Sequence, residues 1–156
     1  MPSGSDAFFV DANVLVYAAV EGDRRNKACK ALLQDSSRGA LHIPPQIVTE
    51  FYSTVTSPKR VTAAYSTREA VKFIEILLAY IHVFVLPISR DVPRRLLTIL
   101  KTSPIRGPHV FDLQIVATML THGVTKLFTY NAKDFRQFTG LELFEPAHKG
   151  LLPQEL

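Results

Sequence analysis

The stretch FFVDANVLVYAAV, residues 8–20, places a single acid, Asp11, between two apolar runs. The run before it, Ala7–Val10, predicts a buried β-strand, and the run after it, Asn13–Val20, predicts a short helix. Asp11 then lies just past the carboxyl end of a strand. Ligands in parallel α/β folds bind beyond these strand ends, so this stretch predicts both a fold class and the place of a functional site.

Short apolar runs and longer segments of helical period alternate along the rest of the chain. Further strands are predicted at Leu41–Ile43, His82–Leu86, Lys126–Thr129 and Leu141–Phe144. Helices are predicted at Arg24–Arg38, from Pro44 to about Thr56, at Thr67–Ile81, from Asp91 with Leu96, Leu97 and Leu100 facing inward, at Val110–His122, and as one turn at Asp134–Phe138. This alternation predicts an α/β protein with a mainly parallel sheet and helices on both faces.

The composition is typical of a globular protein, with 47% hydrophobic and 21% charged residues in 156. We expect one domain over residues 1–156, with no membrane span, because the apolar runs are far shorter than the ~20 residues that a bilayer requires. The N-terminus has no basic residue before its apolar run, so no signal peptide is expected. A single cysteine excludes an internal disulfide and is typical of the reducing cytoplasm. The five histidines show no metal-ligand spacing, and all except His82 are expected at the surface.

The positions of four acids need an explanation. Asp11, Glu50 and Asp112 are embedded in apolar sequence, and Asp134 follows a predicted strand by a short loop. Asp11 and Asp134 could each simply cap a helix, and Asp112 lies near a helix start, where the helix dipole favours an anion. Glu50 is harder to explain, since it borders the buried face of its helix and has no Lys or Arg three or four residues away.

Taken together, the acids predict a metal site. Asp11 and Asp134 both follow strands, and the carboxyl ends of parallel strands share one edge of the sheet. Converging carboxylates repel unless a cation neutralises them, and an all-oxygen site suits Mg²⁺ or Mn²⁺ better than zinc. Asn13 and Thr129 add neutral oxygens at this edge. Asn13 is expected to orient an acid or a water, whereas Thr129 also fits an ordinary strand end.

Four motifs carry a family resemblance: FFVDANVL (8–15), PPQIVTEFY (44–52), HVFDLQIVAT (109–118) and LFTYNAKDF (127–135). In this order and at these distances they resemble the PIN domain family, and in size the chain is similar to the VapC-type toxins of toxin–antitoxin pairs. The resemblance covers a core of about residues 7–146. It implies a three-layer α/β/α sandwich, Mg²⁺- or Mn²⁺-dependent endoribonuclease activity, a homodimer and a cognate antitoxin.

The resemblance also implies an acidic site at Asp11, Glu50, Asp112 and Asp134. Asp11 and Asp112 would be direct metal ligands, and Glu50 would bind the ion or one of its waters. Many relatives carry an aspartate two residues after the Thr that ends the fourth strand, but this chain has Asn131 there. Either Asp134 or Asn131 would complete the site, or the site has only three acids, which leaves open whether one ion or two bind.

Basic side chains must surround an acidic site that binds RNA. Lys133 and Arg136, which flank the site in sequence, are the favoured candidates, whereas Arg24 and Arg25 are expected to be ordinary surface residues. Further candidates, most of them expected to be solvated surface charges, are Lys59, Arg60, Arg90, Arg94, Arg95, Arg106 and His109. Tyr52 and Tyr130 could stack on bases. The helices predicted at Arg24–Arg38 and Thr67–Ile81 are apolar enough to form a dimer interface.

Three other functions are compatible with parts of this pattern. The first is an aspartyl phosphotransferase, because the haloacid dehalogenase motif also places an aspartate after a first strand. That motif has a second aspartate where this chain has Asn13. A related metal nuclease could act on DNA. A non-catalytic RNA- or protein-binding module of the same fold is the third alternative, which Asn131 keeps open.

Overall fold

One six-stranded sheet forms the centre of the protein in the computed structural model, which describes residues 6–147 and 154–155. The strands are β1 (Ala7–Val10), β2 (Ala40–Ile43), β3 (Val83–Val85), β4 (Lys126–Phe128), β5 (Glu142–Glu145) and β6 (Gln154–Glu155). Their order is β3-β2-β1-β4-β5-β6. The first five are parallel, and β6 is antiparallel to β5.

Helices connect and flank the parallel strands, because parallel neighbours require a crossover. They are α1 (Ala12–Ala19), α2 (Asn26–Gln34), α3 (Pro45–Val55), α4 (Thr67–Leu78), α5 (Asp91–Thr102), α6 (Val110–Thr121) and α7 (Ala132–Phe135). Helix α1 contacts α2 and α3, and α5 packs on α6. The predicted α/β/α sandwich around a mainly parallel sheet is confirmed. Within the described ranges, none of these helices has the length and apolar character that crossing a bilayer requires.

The register between β1 and β4 sets the geometry at the carboxyl edge of the sheet. Val10 pairs with Phe128. The residues that follow them at the ends of the two strands, Asp11 and Thr129, therefore lie side by side. The N–H of Asp11 continues the ladder by donating to the carbonyl of Phe128 at 3.0 Å. Both strands are central and their apolar side chains are buried. A register slip would expose that core, so Asp11 and Thr129 are held next to each other.

The side chain of Asn26 closes the C-terminal end of α1. Its amide nitrogen donates to the carbonyls of Tyr17 at 2.9 Å, Ala18 at 3.0 Å and Val20 at 3.0 Å. The last carbonyls of a helix have no partner within the helix, and here Asn26, which is 8% exposed, supplies one from α2. This contact joins the two helices next to the candidate site.

Several sequence predictions on the helices are wrong in detail. The helix predicted at Thr67–Ile81 ends at Leu78, and the turn predicted at Asp134–Phe138 is Ala132–Phe135. The helix predicted at Arg24–Arg38 spans only Asn26–Gln34, because Asp35 accepts a hydrogen bond from the N–H of Ser37 and begins a short 3₁₀ turn instead. Leu97, expected to face inward, is 57% exposed. Successive helical residues point about 100° apart, and Leu96 takes the position that packs against the core.

The prediction of a surface position for His42 is also wrong. His42 lies in β2, is 3% exposed and stacks on Phe84 with ring centroids 5.6 Å apart. Among the described residues, its Nδ1 has no hydrogen-bond partner. Burial, and then the charge of His122, lower the pKa of His42. His82 is buried as predicted, and His148 lies outside the described residues.

This environment makes His42 a source of acid lability. The unfolded chain binds a proton near pH 6.5 more readily than the folded chain does. The contribution of neutral His42 to the stability of the fold is therefore complete above that pH and is lost as the pH falls below it. The free energy of unfolding should therefore decrease as the pH falls below 6.5, and we expect this decrease to be smaller in His42→Phe. Urea denaturation on both sides of pH 6.5 would measure it. Parallel pH profiles for wild type and variant would contradict this assignment.

Candidate metal centre and adjoining cleft

A cleft of about 990 Å³ lies between α1 and α3 and is bordered by the start of α6. Three of the predicted site residues line it: Asn13 on α1, Glu50 on α3 and Asp112 on α6. The other four predicted residues lie outside this lining, at the ends of β1 and β4 and beyond: Asp11, Thr129, Asn131 and Asp134. The predicted site residues thus form two groups, one that lines the cleft and one that lies at the carboxyl edge of the sheet.

Asp11 is the centre of the group at the carboxyl edge of the sheet. It is 6% exposed, and its Oδ1 accepts a hydrogen bond from the N–H of Ala12 at 2.7 Å. Its Oδ2 accepts from the hydroxyl of Thr129 at 2.7 Å and from the amide of Asn13 at 3.0 Å. Asp11 therefore caps α1 and also belongs to a network that links two strand ends, so the cap does not exclude a site role.

Asn13 and Thr129 complete this network. The amide of Asn13 also donates to the hydroxyl of Thr129 at 3.3 Å, and its carbonyl accepts from the N–H of Tyr130 at 3.3 Å. The hydroxyl of Thr129 accepts from the N–H of Asn131 at 2.9 Å. Thr129 is fully buried, so its contribution is to fix the position of Asp11.

The electrostatic environment of Asp11 is unfavourable for a negative charge. Burial raises its pKa to about 6, against the lowering effect of the hydrogen bonds from Thr129 and Ala12. The negative charges of Glu50 and Asp112 contribute to this increase in the pKa, although less than burial does. Among the described residues, no Lys or Arg is within salt-bridge distance of Asp11, Glu50, Asp112 or Asp134.

Glu50 is oriented by a neighbour on its own helix. The amide nitrogen of Gln46 donates to Oε1 of Glu50 at 2.7 Å and lies 3.4 Å from the carbonyl of Phe111. Gln46 therefore connects α3 to the residue just before Asp112. Sequence reasoning missed this role, although the spacing of four residues was visible, because only charged partners for Glu50 were sought.

Asp112 lies in the first turn of α6, with a side chain that is 28% exposed. Burial raises its pKa, as does the negative charge of Asp134, whereas His109 lowers it. The Nδ1 of His109 is 3.7 Å from Oδ2 of Asp112. Asp112 is therefore a partly solvated carboxylate that faces the cleft from α6.

Asp134 and Asn131 were the alternatives for the fourth position. Helix α7 has no side-chain cap at Asn131, and no hydrogen bond within the described residues reaches the carboxylate of Asp134. The negative charge of Asp134 nevertheless raises the pKa of Asp112. Asn131 is exposed and its backbone N–H contacts Thr129. The geometry thus gives Asp134 no capping role and leaves its carboxylate available.

The donor set fits a hard divalent cation. The available atoms are carboxylate and amide oxygens, which Mg²⁺ and Mn²⁺ prefer. No Lys or Arg of the described residues is within salt-bridge distance of these carboxylates. No group of three or more His, Cys, Asp or Glu side chains in the described part of the chain is arranged to hold one metal ion. Mg²⁺ does not require such a group, because it usually keeps several waters and binds through one or two carboxylates.

The far end of the cleft contains residues that the sequence did not single out. Tyr17, one turn after Asn13 on α1, lines the cleft, whereas Tyr52 and Tyr130 do not. Arg25, expected to be an ordinary surface residue, also lines it and stacks on Tyr17 with its guanidinium carbon 3.4 Å from the ring centroid. The prediction for Arg25 is therefore wrong. The four-residue spacing of Tyr17 from Asn13 was the available signal.

Basic side chains are distributed differently from the sequence prediction. Arg25 and Arg60 line the cleft. Lys133 and Arg136, the favoured candidates for RNA contacts, are exposed and lie outside this lining.

Comparison with known proteins gives a family match over most of the chain. A family model described as the PIN domain matches residues 8–141. No curated protein sequence matches the chain.

Solved structures with a similar fold include one toxin and two VapBC structures. Mycobacterium tuberculosis VapC20, described as a sarcin–ricin loop cleaving toxin, is 18% identical, with a TM-score of 0.62 over 83% of this chain and 94% of that one. VapBC2 from Rickettsia felis, bound to a promoter DNA fragment, is 16% identical, with a TM-score of 0.64 over 89% and 98%. VapBC-1 from nontypeable Haemophilus influenzae is 19% identical, with a TM-score of 0.61 over 89% and 97%. At these identities the likeness establishes the fold.

Proposed function

This chain belongs to the PIN domain family, and from that membership we propose that it is a Mg²⁺- or Mn²⁺-dependent endoribonuclease. One observation carries the proposal beyond the fold. Glu50 and Asp112 line one cleft with Asn13, and the amide of Asn13 donates to Asp11 at 3.0 Å. Burial, and then these two negative charges, raise the pKa of Asp11. No Lys or Arg of the described residues pairs with these three carboxylates. Such an arrangement is costly for a fold unless a cation neutralises it.

The ion would bind through one or two carboxylates and its own waters. The acids that would hold it directly or through a water are Asp11, Glu50, Asp112 and Asp134. When bound, Mg²⁺ or Mn²⁺ polarises a phosphodiester, lowers the pKa of water and stabilises the leaving oxygen. The acids differ in access. Asp112 and Glu50 face the cleft, where a phosphate can enter, whereas Asp11 is 6% exposed and lies outside the cleft lining.

The neutral residues hold these acids in place. Thr129 and Asn13 both donate to Oδ2 of Asp11, which fixes the plane of that carboxylate. Gln46 donates to one oxygen of Glu50, so the other oxygen is left for the ion or for a water. We assign Thr129, Asn13 and Gln46 as positioning residues. We assign Asp134, rather than Asn131, as the fourth residue of the metal site.

The proposed biological role is that of the toxin of a toxin–antitoxin pair, with RNA as substrate and a cognate antitoxin as partner. The similar solved structures include such pairs, VapBC2 and VapBC-1. We also propose a homodimer. Helix α4 supports it, because it exposes Val71, Ile76 and Leu78, and Ile81 just after it is 89% exposed. Large exposed apolar patches are typical of protein interfaces.

A cleavage assay on single-stranded RNA tests the proposed function. Purified protein should cut the RNA with Mg²⁺ or Mn²⁺ present, should lose the activity in EDTA, and should leave single-stranded DNA of the same sequence intact. Faster cleavage of the DNA would instead establish a DNA-directed nuclease. Absence of cleavage together with absence of Mn²⁺ binding in calorimetry would establish a non-catalytic module.

A further inference from the structure

The cleft continues beyond the acids along α3. Gln46, Glu50 and Thr54 are spaced four residues apart and line one wall. At a rise of 1.5 Å per residue, Thr54 lies about 6 Å beyond Glu50 along the helix axis. Arg60, in the loop after α3, donates to the hydroxyl of Thr54 at 3.1 Å. A cationic group therefore lies one helical turn from the acidic centre, in the same cleft.

The loop that carries Arg60 is fixed at both ends. The N–H of Arg60 donates to the carbonyl of Ser57 at 3.0 Å, which forms a turn directly after α3. Further on, the N–H of Tyr65 donates to the carbonyl of Val55 at 2.9 Å, and its hydroxyl donates to the carbonyl of Ala19 at 2.8 Å. These bonds tie the loop to the ends of α3 and α1, so the position of Arg60 is determined by the fold.

Arg60 is the basic residue in this cleft whose charge is uncompensated. The other, Arg25, donates to both carboxylate oxygens of Asp23, at 2.8 and 2.7 Å. Asp23 also lines the cleft, and together the pair is neutral. Within the described ranges, no carboxylate is within salt-bridge distance of Arg60. The cleft thus has acids at one end and an unmatched positive charge at the other.

We infer that the cleft between α1 and α3 binds a single strand of RNA and that Arg60 contacts the backbone phosphate next to the one that enters the acidic centre. This inference rests on the proposed function, since the acidic centre defines where the reacting phosphate lies. The separation of one helical turn is on the scale of one nucleotide step in an extended strand. The guanidinium of Arg25 already donates to both carboxylate oxygens of Asp23, so it provides a planar group along the cleft rather than a phosphate contact.

Arg95 provides a matched control. It is exposed, as Arg60 is, but it lies on α5 beside Thr121, at the opposite end of α6 from Asp112. Arg95→Gln therefore removes the same charge from a surface that the inferred RNA path does not reach. Arg60→Lys keeps the charge but loses the planar fork that suits phosphate.

The test is fluorescence anisotropy with a labelled single-stranded oligoribonucleotide in EDTA, where no cleavage occurs, followed by steady-state cleavage with Mg²⁺. We expect Arg60→Gln to raise Kd about tenfold, the scale of one hydrogen bond to a charged group. Arg60→Lys should fall between wild type and Arg60→Gln, and Arg95→Gln should match wild type. The slope of log K against log salt should become less negative by about 0.7 in Arg60→Gln, the value for one phosphate of a single strand. In cleavage, KM should rise and kcat should be largely retained.

Several outcomes would overturn the inference. These are unchanged RNA binding by Arg60→Gln, an equal loss in Arg95→Gln, or a fall in kcat with KM unchanged. Binding of polyglutamate that depends on Arg60, with RNA binding unaffected, would assign the cleft to an acidic protein partner instead. RNA binding that depends on Arg60 without any cleavage would retain Arg60 as an RNA contact and refute the proposed nuclease function. Cleavage with RNA binding that Arg60→Gln leaves unchanged would refute the inference alone.

Discussion

Asp112→Asn should abolish RNA cleavage without weakening the fold. The change removes a carboxylate that faces the cleft, and we expect the rate to fall at least about 100-fold, since even residues that only support metal ligands cost up to that amount. Burial and the charge of Asp134 already raise the pKa of Asp112 in the folded protein. A negative charge is therefore unfavourable there at neutral pH, and the metal-free melting temperature should stay the same or rise.

Two variants make this result specific. Asp91→Asn makes the same chemical change in the exposed first turn of α5 and should leave cleavage at the wild-type rate. Asp134→Asn should lose part of the activity, keep its stability and recover at high Mn²⁺, because it removes one charge from the acidic set. Added Mg²⁺ should raise the melting temperature of wild type more than that of Asp112→Asn. A sharp fall in the metal-free melting temperature of Asp112→Asn would show that Asp112 has a structural role instead.

Asn26→Ala should cause the largest loss of stability among the substitutions considered. Its amide donates to three carbonyls at the end of α1, and buried groups left without partners cost about 1–3 kcal/mol each. Because one amide is shared among three carbonyls, we expect a total loss of about 3 kcal/mol. In a chain of this size, that corresponds to a fall of about 6–12 °C in melting temperature. Differential scanning calorimetry would measure it.

Gln34→Ala is the control for this prediction. Gln34 lies on the same helix, α2, and is exposed, so its loss should change the melting temperature little. Equal melting temperatures for Asn26→Ala and wild type would mean that water replaces the amide at the end of α1.

The sequence alone was sufficient to place the five parallel strands and to single out the four acids for the proposed site. Strand β1 was predicted at its observed bounds, Ala7–Val10, because an apolar run that ends in Asp11 and a new helical period leaves few alternatives. Asp11 was placed at a strand end, which the structure confirms. These features depend on neighbours within a few residues, and such neighbours are visible in a sequence.

What the tertiary structure decided concerns pairs of residues that are distant along the chain. Asp11 meets Thr129 across 118 residues, and only the register of β1 against β4 brings them together. Arg25 proved to stack on Tyr17, and Arg60 proved to share a cleft with Glu50. Periodicity identifies which face of an element is apolar, but it carries no information about which element covers that face. The positions of the charges around the acids therefore followed from packing, because packing alone determines which side chains are brought within a few ångströms of one another.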